Sequence, residues 1–322
     1  MTRYTITNCS SSHSGLWDRF VEDSINGTVF HRQDFLSYHP RDRFVRDDKI
    51  IFKADRPVAV FPLSISNKEG KKTGRSPYGG SFGGLVTGKM STSKLKEIIQ
   101  ALFHTLEEEG YEEIEVCFPP LPYYKGFDGN LEYMFLKSAR ASLVDRGLTS
   151  VVRLDCPKNY SQNYSRNIKK AAAAGVEVRM SEDVDTFYGI LENVMRDKHG
   201  TQPTHTLAEL HRLKQILGEM LKIFLGYRKD MAISGVLVFE NSSPCALAFY
   251  NGHLQQYSEI PSLHYVFDHV IDHYSTRKKY LDLGLTDLFS SSFNNGLFQF
   301  KEGMGAAGYY RDYYRISLRS KK

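Results

Sequence analysis

Lys301 is the residue whose type and surroundings point most directly to chemistry. It follows Phe300 and precedes two glycines, Gly303 and Gly305, in the segment FKEGMG, which we expect to form a short loop ahead of a strand. Glycines let a backbone approach a ligand closely, and a protonated lysine can bind a phosphate or a developing negative charge. The alternative is a surface lysine that pairs with an acid, a contribution of under about 1 kcal/mol. On the first interpretation, Lys301→Met lowers activity at least about tenfold and keeps a near-normal melting temperature.

The segment HGTQPTH contains two candidate general bases, His199 and His205, because an unperturbed imidazole has a pKa near neutrality. Thr204, between them, is a candidate substrate-binding residue. A purely structural explanation also fits, since a helix that stops at Gly200 and a new helix capped by Thr206 would produce the same pattern. The sequence leaves both explanations open.

Aromatic side chains offer further candidates. The chain has 20 Tyr and 20 Phe but a single Trp, and so many tyrosines can line a polar pocket, although most aromatic residues fill cores. Tyr250 is a candidate catalytic residue that could polarise a carbonyl group. Tyr257 and Phe300 are candidate substrate contacts.

A basic ridge is predicted on the helix that contains NYSRNIKKAAAAG. Arg166, Lys169 and Lys170 are spaced at i, i+3 and i+4 and therefore share one face. Cations on one face attract phosphorylated ligands, which makes Arg166 and Lys169 candidate substrate-binding residues. An ordinary solvated helix face explains the same spacing at least as well.

Two further motifs are weak. GGLVTGKM (83–90) matches a phosphate-binding glycine loop except that Met90 replaces the hydroxyl residue needed for magnesium, and we interpret it as a connection whose following helix is capped by Ser91–Ser93. His269 and His273 share a helix face but lack a third ligand, so no metal is expected.

Composition restricts the class of protein. With 322 residues, 41% hydrophobic and 25% charged, the chain is long enough for two globular domains. Its 42 basic and 37 acidic residues give a net charge of +5, which suits phosphorylated ligands but not a dedicated nucleic-acid binder, so no DNA partner is expected.

The cellular setting is predicted from three absences. The start, MTRYTITNCSSS, has no apolar stretch of a signal peptide, and no apolar run reaches the roughly 20 residues of a membrane-spanning helix. The cysteines are scattered, without the pairing of a zinc or disulfide site, at Cys9, Cys117, Cys156 and Cys245. We therefore expect a cytoplasmic protein without a transmembrane segment.

The chain repeats one order of elements. In the first half, KIIFKADRPVAVFPLSIS predicts two strands, STSKLKEIIQALFHTLEEEG a helix with one apolar stripe, and YEEIEVCF a strand. In the second half, MAISGVLVFE, PCALAFYNGH, SLHYVFDHVIDHYSTRKK and YLDLGL predict the same order, and GYYRDYYRISL a last strand. We place the junction near 145–160, which predicts domains at 1–150 and 151–322.

Four segments, taken in order, resemble the FemAB-type transferases and their relatives, which are tandem GNAT-fold proteins. They extend from about Trp17 to Gly305 and are WDRFVEDSINGTVFHRQDFLSYH, YSRNIKKAAAAGVEV, RDKHGTQPTHTLAEL, and KKYLDLGL followed by FQFKEGMGA. The second resembles R-N-I-x-K-A-x-x-x-G-V and the third R-x-x-x-H-G-x-x-P. The last resembles F-K-x-G-F-G, with Met304 in place of the aromatic residue.

The resemblance implies an α/β (α+β) protein of two tandem GNAT-like domains with mixed sheets flanked by helices. It implies a transferase that moves an acyl or aminoacyl group to an amine of a cell-envelope precursor, either an amino sugar or a peptidoglycan peptide. Acceptor contacts are expected partly at Arg166 and Lys169, and Lys301 is expected near the donor. The alternative is a non-catalytic GNAT-like binding protein of a polysaccharide or envelope pathway.

The donor stays open. Ordinary GNAT enzymes bind the pyrophosphate of CoA through R/Q-x-x-G-x-G/A, and the corresponding interval here, NGHLQQYSEIPSLHYVF, lacks those glycines. Acyl-CoA and aminoacyl-tRNA are both candidates, which makes tRNA a candidate partner. The acceptor is expected to be a phosphorylated small molecule or a lipid-linked molecule.

Overall fold

The computed structural model describes residues 4–40, 42–68 and 70–318. Its helices begin and end close to the predicted apolar stripes. They are α1 Ser14–Asp23, α2 Gln33–Leu36, α3 Thr92–Glu108, α4 Asn130–Lys137, α5 Gln162–Ala173, α6 Val184–His199, α7 Leu207–Leu217, α8 Ser262–Ser275 and α9 Asn295–Glu302. Among the described residues, no helix is both long and apolar enough to cross a membrane.

The strands confirm a mixed α/β protein. In chain order they are β1 Thr5–Asn8, β2 Val45–Arg46, β3 Lys49–Lys53, β4 Arg56–Phe61, β5 Ser64–Lys68, β6 Lys71–Ser76, β7 Val86–Thr87, β8 Glu113–Val116, β9 Arg140–Arg153, β10 Val176–Ser181, β11 Leu221–Arg228, β12 Met231–Phe239, β13 Cys245–His253, β14 Tyr280–Leu288 and β15 Ala307–Ser317.

The chain divides into two compact units. Unit 1 contains the described residues up to Gly147, together with Leu288–Ser291 and the described residues from Tyr310 to Leu318. Unit 2 contains Leu148–Asp287 and Ser292–Tyr309.

Unit 1 is organised around α3. This helix buries the whole stripe that the sequence predicts, and its side chains pack against strand residues such as Phe61 and Ile114. Burying an aliphatic or aromatic side chain contributes about 1.5–3 kcal/mol, so this stripe anchors the unit. The stripe consists of Leu95, Ile98, Ile99, Leu102, Phe103 and Leu106.

Strands β5 and β6 of unit 1 differ from the prediction: the second predicted strand, which ran to Ser66, is divided into β4 and β5, and β6 was not predicted. Strands β5 and β6 form an antiparallel hairpin, and β6 pairs in parallel with β8 from Thr73 opposite Glu113 to Ser76 opposite Val116. The sequence of β6, KKTGRS, lacks the β-branched and aromatic residues that mark strands. Its place in the sheet is therefore set by pairing with neighbouring strands.

Unit 2 has a sheet with a helix layer on each face. Successive strand residues point to opposite faces. A Cβ at Gly235 would lie 2.9 Å from the Phe187 side chain of α6, whereas the next residue, Val236, belongs to the core cluster that contains Val266 and Phe267 of α8. Helix α6 therefore covers one face and α8 the other.

A repeated order of elements is present, but the strand pair in unit 1 is not the predicted one. The predicted strands β3 and β4 lie with β1 and β7 in a separate four-stranded sheet. The order that repeats is β5, β6, α3 and β8 in unit 1 and β12, β13, α8 and β14 in unit 2. In each unit the second and last of these strands pair in parallel, β6 with β8 and β13 with β14. A helix between two parallel strands is the usual crossover connection.

Candidate functional site

The parallel pair of unit 2 is short. Strands β13 and β14 pair only over Cys245–Leu247 and Tyr280–Asp282, yet β13 continues to His253 and β14 to Leu288. Beyond Leu247 and Asp282, the pairing between β13 and β14 includes no further residues. Unpaired backbone donors and acceptors of a sheet need other partners. The interval between β13 and β14 beyond this pair, which we call the gap, is therefore a candidate place for an extended ligand. Its start is narrow, since a Cβ at Gly284 would lie 3.4 Å from Ala248 O.

A β-bulge re-orients side chains of β13 at this gap. The register with β12 shifts between the pairs Leu237–Tyr250 and Val238–Ala248, which leaves Phe249 as the extra residue. Bulges often redirect side chains near active sites. Here two successive residues, Phe249 and Tyr250, both contact His205, each with ring centroids 5.7 Å from the imidazole.

His205 and Tyr250 form a hydrogen-bonded pair. The Tyr250 hydroxyl lies 2.7 Å from His205 Nδ1, and Thr204 also hydrogen-bonds to the Tyr250 side chain. Burial raises the pKa of Tyr250 to about 12, opposed by the hydrogen bonds from Thr204 and from the His205 backbone. Tyr250 is therefore a neutral phenol at physiological pH, joined to an imidazole that can exchange protons.

The local sequence fixes His205 in place. Helix α6 ends at His199 and is capped by Gly200, whose φ of +60° suits glycine, and α7 begins after Thr206. Thr206 and Glu209 form a capping box in which the Thr206 N–H donates to Glu209 Oε2 at 2.8 Å. The structural explanation of HGTQPTH is thus confirmed, and the capped turn also positions His205, which is 7% exposed.

Lys301 lies in the last turn of helix α9 and not on a loop. Asn294 caps this helix by accepting a hydrogen bond from the Leu297 N–H at 3.1 Å, so the helix starts at Asn295, six residues before Lys301. The side chain is 4% exposed. Its Nζ donates to Gly284 O at 2.7 Å and Leu285 O at 2.9 Å.

The third acceptor of the Lys301 ammonium is Thr286 Oγ1, at 3.1 Å, and Thr286 in turn contacts Ser150 Oγ at 2.6 Å. Burial lowers the pKa of Lys301 to about 8, and the nearby charge of Asp282 opposes that shift. A surface ion pair is therefore excluded for Lys301, since its partners are two backbone carbonyls and a hydroxyl inside unit 2.

The remaining predicted residues are not gathered at the Tyr250–His205 pair. The Phe300 ring packs into the core beside Tyr164, His264 and Phe267. The Tyr257 hydroxyl donates to Met231 Sδ at 3.0 Å, in a separate open cavity of about 920 Å³.

The basic ridge lies on the exposed face of α5. Arg166 and Lys169 are both exposed, and Arg166 Nη2 donates to Asn163 Oδ1 at 2.7 Å. These cations are available to a ligand from solvent. His199 is the last residue of α6, and its side chain lies outside the described part of the structure.

Unit 1 contains a cavity that the sequence did not reveal. It has a volume of about 860 Å³ and lies where the parallel strands β6 and β8 end, at Ser76 and Val116. Ligands of open sheets bind at the carboxyl ends of parallel strands. Its lining includes charged and aromatic side chains from distant parts of the chain: Arg43, Phe44, Arg75, Tyr78, Glu115, Arg311 and Tyr313.

One signal for this cavity was present in the sequence. The last strand, β15, reads AGYYRDYYRIS, and every second residue from Tyr309 to Arg315 is in turn a tyrosine or an arginine, which is unusual for one face of a strand. Arg311 Nη2 donates to Ser81 O at 2.8 Å, and its guanidinium lies 5.0 Å from the centre of the Phe82 ring. The alternation places polar groups against the glycine-rich segment that follows β6.

Comparisons with known proteins identify the fold. A solved structure of FemX superposes with a TM-score of 0.73 at 12% identity, covering 97% of each chain. A tandem GNAT protein from the clavulanic acid biosynthesis pathway gives 0.52 at 9% identity, covering 99% of this chain and all of the other, and L-PGS from Bacillus licheniformis gives 0.52 at 9%, covering 98% and 89%. No family model and no curated protein matches the sequence.

The chain therefore has the FemAB-like tandem GNAT fold, as the four sequence segments predicted. Identities of 9–12% establish the fold alone, so the function has to be argued from the residues of this chain.

Proposed function

We propose that the protein is an N-acyltransferase or aminoacyltransferase that acts on an amine of a cell-envelope precursor, an amino sugar or a peptidoglycan peptide. The observation that carries the proposal is the Tyr250–His205 pair, with its 2.7 Å hydrogen bond, on the part of β13 that has left its parallel partner. The pair supplies a proton-transfer group beside backbone that is open to a ligand. The shared fold with FemX and a tandem GNAT protein supports the same class of reaction.

The chemical step needs little covalent participation by the protein. The acceptor amine attacks the carbonyl carbon of an activated ester or thioester, the new C–N bond forms, and the C–O or C–S bond to the leaving group breaks. The attacking nitrogen loses one proton, and the leaving group accepts one. An enzyme accelerates this by orienting both substrates and by moving these protons.

The pair can perform the proton transfer. Thr204 and the backbone N–H of His205 both hydrogen-bond to the Tyr250 oxygen, which directs the phenolic O–H toward Nδ1 of His205. In the proposed step, the attacking amine takes the place of Thr204 at Tyr250 Oη, which accepts the amine proton while its own proton passes to His205. The protonated His205 then returns a proton through Tyr250 to the leaving group, which restores the starting state.

The donor is proposed to lie in the gap between β13 and β14. Beyond the pair of Leu247 with Asp282, backbone N–H groups of β13 can bind the carbonyl oxygen as it becomes an oxyanion. Acyl-CoA and aminoacyl-tRNA both present such a carbonyl.

Two surfaces are candidates for the phosphorylated or lipid-linked acceptor. One is the exposed ridge with Arg166 and Lys169, and the other is the cavity of unit 1 with Arg43 and Arg75. Both present guanidinium groups, which bind phosphate through paired hydrogen bonds. Substitutions on each surface, followed by measurement of acceptor binding, show which of the two surfaces binds the acceptor.

The test is a transfer assay with defined probes. Purified protein is incubated with acetyl-CoA or a pool of aminoacyl-tRNAs, and with a nucleotide-linked muropeptide or a nucleotide-linked amino sugar. Mass spectrometry of the acceptor then detects an added acyl or aminoacyl group. We expect an amide product with wild type and a loss of about 100-fold or more in Tyr250→Phe. A product formed equally by wild type and Tyr250→Phe contradicts the proposed site.

A further inference from the structure

We propose that Lys301 is a positioning residue that holds β14 in the shape that keeps the donor gap open, and that its amine does not contact the donor. The inference rests on the proposed function, because only that function places a donor between β13 and β14. The structural role of Lys301 can nevertheless be measured without any transfer activity. It changes the expectation from sequence, in which Lys301 binds the donor directly.

The first argument is the direction of two carbonyl groups. In a regular strand, successive carbonyls point to opposite edges, so one side chain does not bind both. Lys301 Nζ nevertheless binds Gly284 O at 2.7 Å and Leu285 O at 2.9 Å. Gly284 has a φ of +79°, which interrupts the alternation of the strand. The irregular backbone at Gly284 therefore creates the binding site for the Lys301 ammonium group.

The second argument is the capacity of the ammonium. It has three N–H donors, and three acceptors surround it: Gly284 O, Leu285 O and Thr286 Oγ1. With the side chain 4% exposed, each N–H is already used inside unit 2. A direct contact with a substrate would require Lys301 to break one of these bonds.

The third argument is the position of the ammonium site along β14. The last residue of β14 that pairs with β13 is Asp282, opposite Leu247, and the carbonyls that accept from Lys301 begin two residues later, at Gly284. These carbonyls lie on the segment that has left the ladder with β13. Because buried carbonyls need donors, Lys301 stabilises the separated course of β14.

Two side chains support the same irregularity from within the sheet. The Asp282 carboxylate accepts the Gly284 N–H at 2.8 Å and a hydrogen bond from the Thr149 hydroxyl. Gly284 is thus held on its nitrogen side by Asp282 and on its oxygen side by Lys301.

The decisive experiment is hydrogen–deuterium exchange on Lys301→Met, with no ligand present. We expect faster exchange in the peptides of β13 and β14, with unchanged exchange in α3. Lys137→Met is the matched control, because Lys137 also lies in the last turn of a helix, α4, but is exposed. It should leave every peptide unchanged. Exchange in β13 and β14 equal to wild type in Lys301→Met would overturn the proposal.

Thr286→Val provides a second variant in case Lys301→Met does not fold. It removes one acceptor of the ammonium and keeps the volume of the side chain and the backbone. We expect faster exchange confined to β14 and its neighbours, by a smaller factor than in Lys301→Met. Exchange unchanged from wild type in Thr286→Val would also overturn the proposal.

Kinetics then distinguish positioning from catalysis. With the donor that gives product, Lys301→Met should raise the donor KM at least about tenfold and change kcat and the acceptor KM much less. A fall in kcat at unchanged donor KM would assign Lys301 to the chemical step and overturn the proposal. If wild type forms no product, the proposed function fails, and the exchange experiment still decides the role of Lys301.

Discussion

The Tyr250 hydroxyl lies 2.7 Å from Nδ1 of His205, although 45 positions separate the two residues in the sequence. The capped start of α7 fixes His205, and the bulge of β13 turns Tyr250 toward it. Together they place a phenol within hydrogen-bond distance of an imidazole, on the segment of β13 beyond its parallel pair with β14.

Removing the Lys301 ammonium should lower stability. Lys301→Met leaves the carbonyls of Gly284 and Leu285 without their donor, and an unsatisfied buried acceptor costs about 1–3 kcal/mol. We expect a loss of about 2 kcal/mol in the free energy of unfolding, measured by urea denaturation, in place of the unchanged stability expected from sequence. Lys137→Met should be neutral, and a wild-type midpoint for Lys301→Met would show that the carbonyls find other donors.

The buried His31 predicts a loss of stability in acid. Its Nδ1 accepts the Thr28 N–H at 3.1 Å, Nε2 lies 3.0 Å from Gly83 O, and burial lowers its pKa from 6.5 to about 4. Since the folded state binds this proton more weakly than the unfolded state, stability is full above pH 6.5 and falls as pH drops toward 4. The loss reaches up to about 3 kcal/mol.

Urea denaturation across that range checks this prediction. His31→Gln, which does not titrate, should show a smaller fall between pH 6.5 and 4 than wild type. The fall should not vanish, because burial also lowers the pKa of His264 to about 4. The exposed His104 is the control, and His104→Gln should behave like wild type. Equal falls in His31→Gln and wild type would contradict the assignment.

Gly305 should not tolerate a side chain. Its φ is +76°, and a Cβ would lie 2.7 Å from the carbonyl oxygen of Asn159, which is backbone and does not move aside easily. Gly305→Ala should lower the free energy of unfolding by about 2 kcal/mol or more, through strain and the close contact. Gly126→Ala is the control, since nothing lies within 4 Å of its Cβ position. Equal thermal midpoints for the two variants would contradict the predicted contact.

The acceptor surface can be assigned by calorimetry at low salt with a nucleotide-linked muropeptide. If the ridge on α5 binds the phosphates, Arg166→Ala loses charge-assisted hydrogen bonds of about 1.5–3 kcal/mol and binds at least about tenfold more weakly. Arg75→Met tests the cavity of unit 1 in the same way. Arg153→Ala is the control, because Arg153 is exposed and pairs with Asp155. Unchanged affinity in Arg166→Ala would assign the ridge to solvent.

The fold was predictable where the sequence pattern is local. The apolar stripe of α3, the capping of α3 by Ser91 and the order of strands around α8 all follow from periodicity and end signals, and the structure has each of them. Strand β6 was missed because its polar residues lack a strand pattern, and the cavity beside it was missed for the same reason.

The site was predictable only as a set of residues. Thr204, His205 and Tyr250 were singled out from the sequence, but their association depends on a bulge and a capped turn that lie far apart in the chain. Two of the three Lys301 acceptors are backbone carbonyls, which no side-chain pattern reveals. The sequence therefore identified Lys301 as important and gave it a different role.

The most direct test of the account is a double-mutant cycle on Tyr250→Phe and His205→Gln, using the donor and acceptor that give product. If the pair moves one proton as a unit, each single variant should lower kcat about 100-fold or more, and the double variant should be no slower than the slower single. Effects that multiply in the double variant, or single variants with the wild-type kcat, would contradict the proposed relay from Tyr250 to His205.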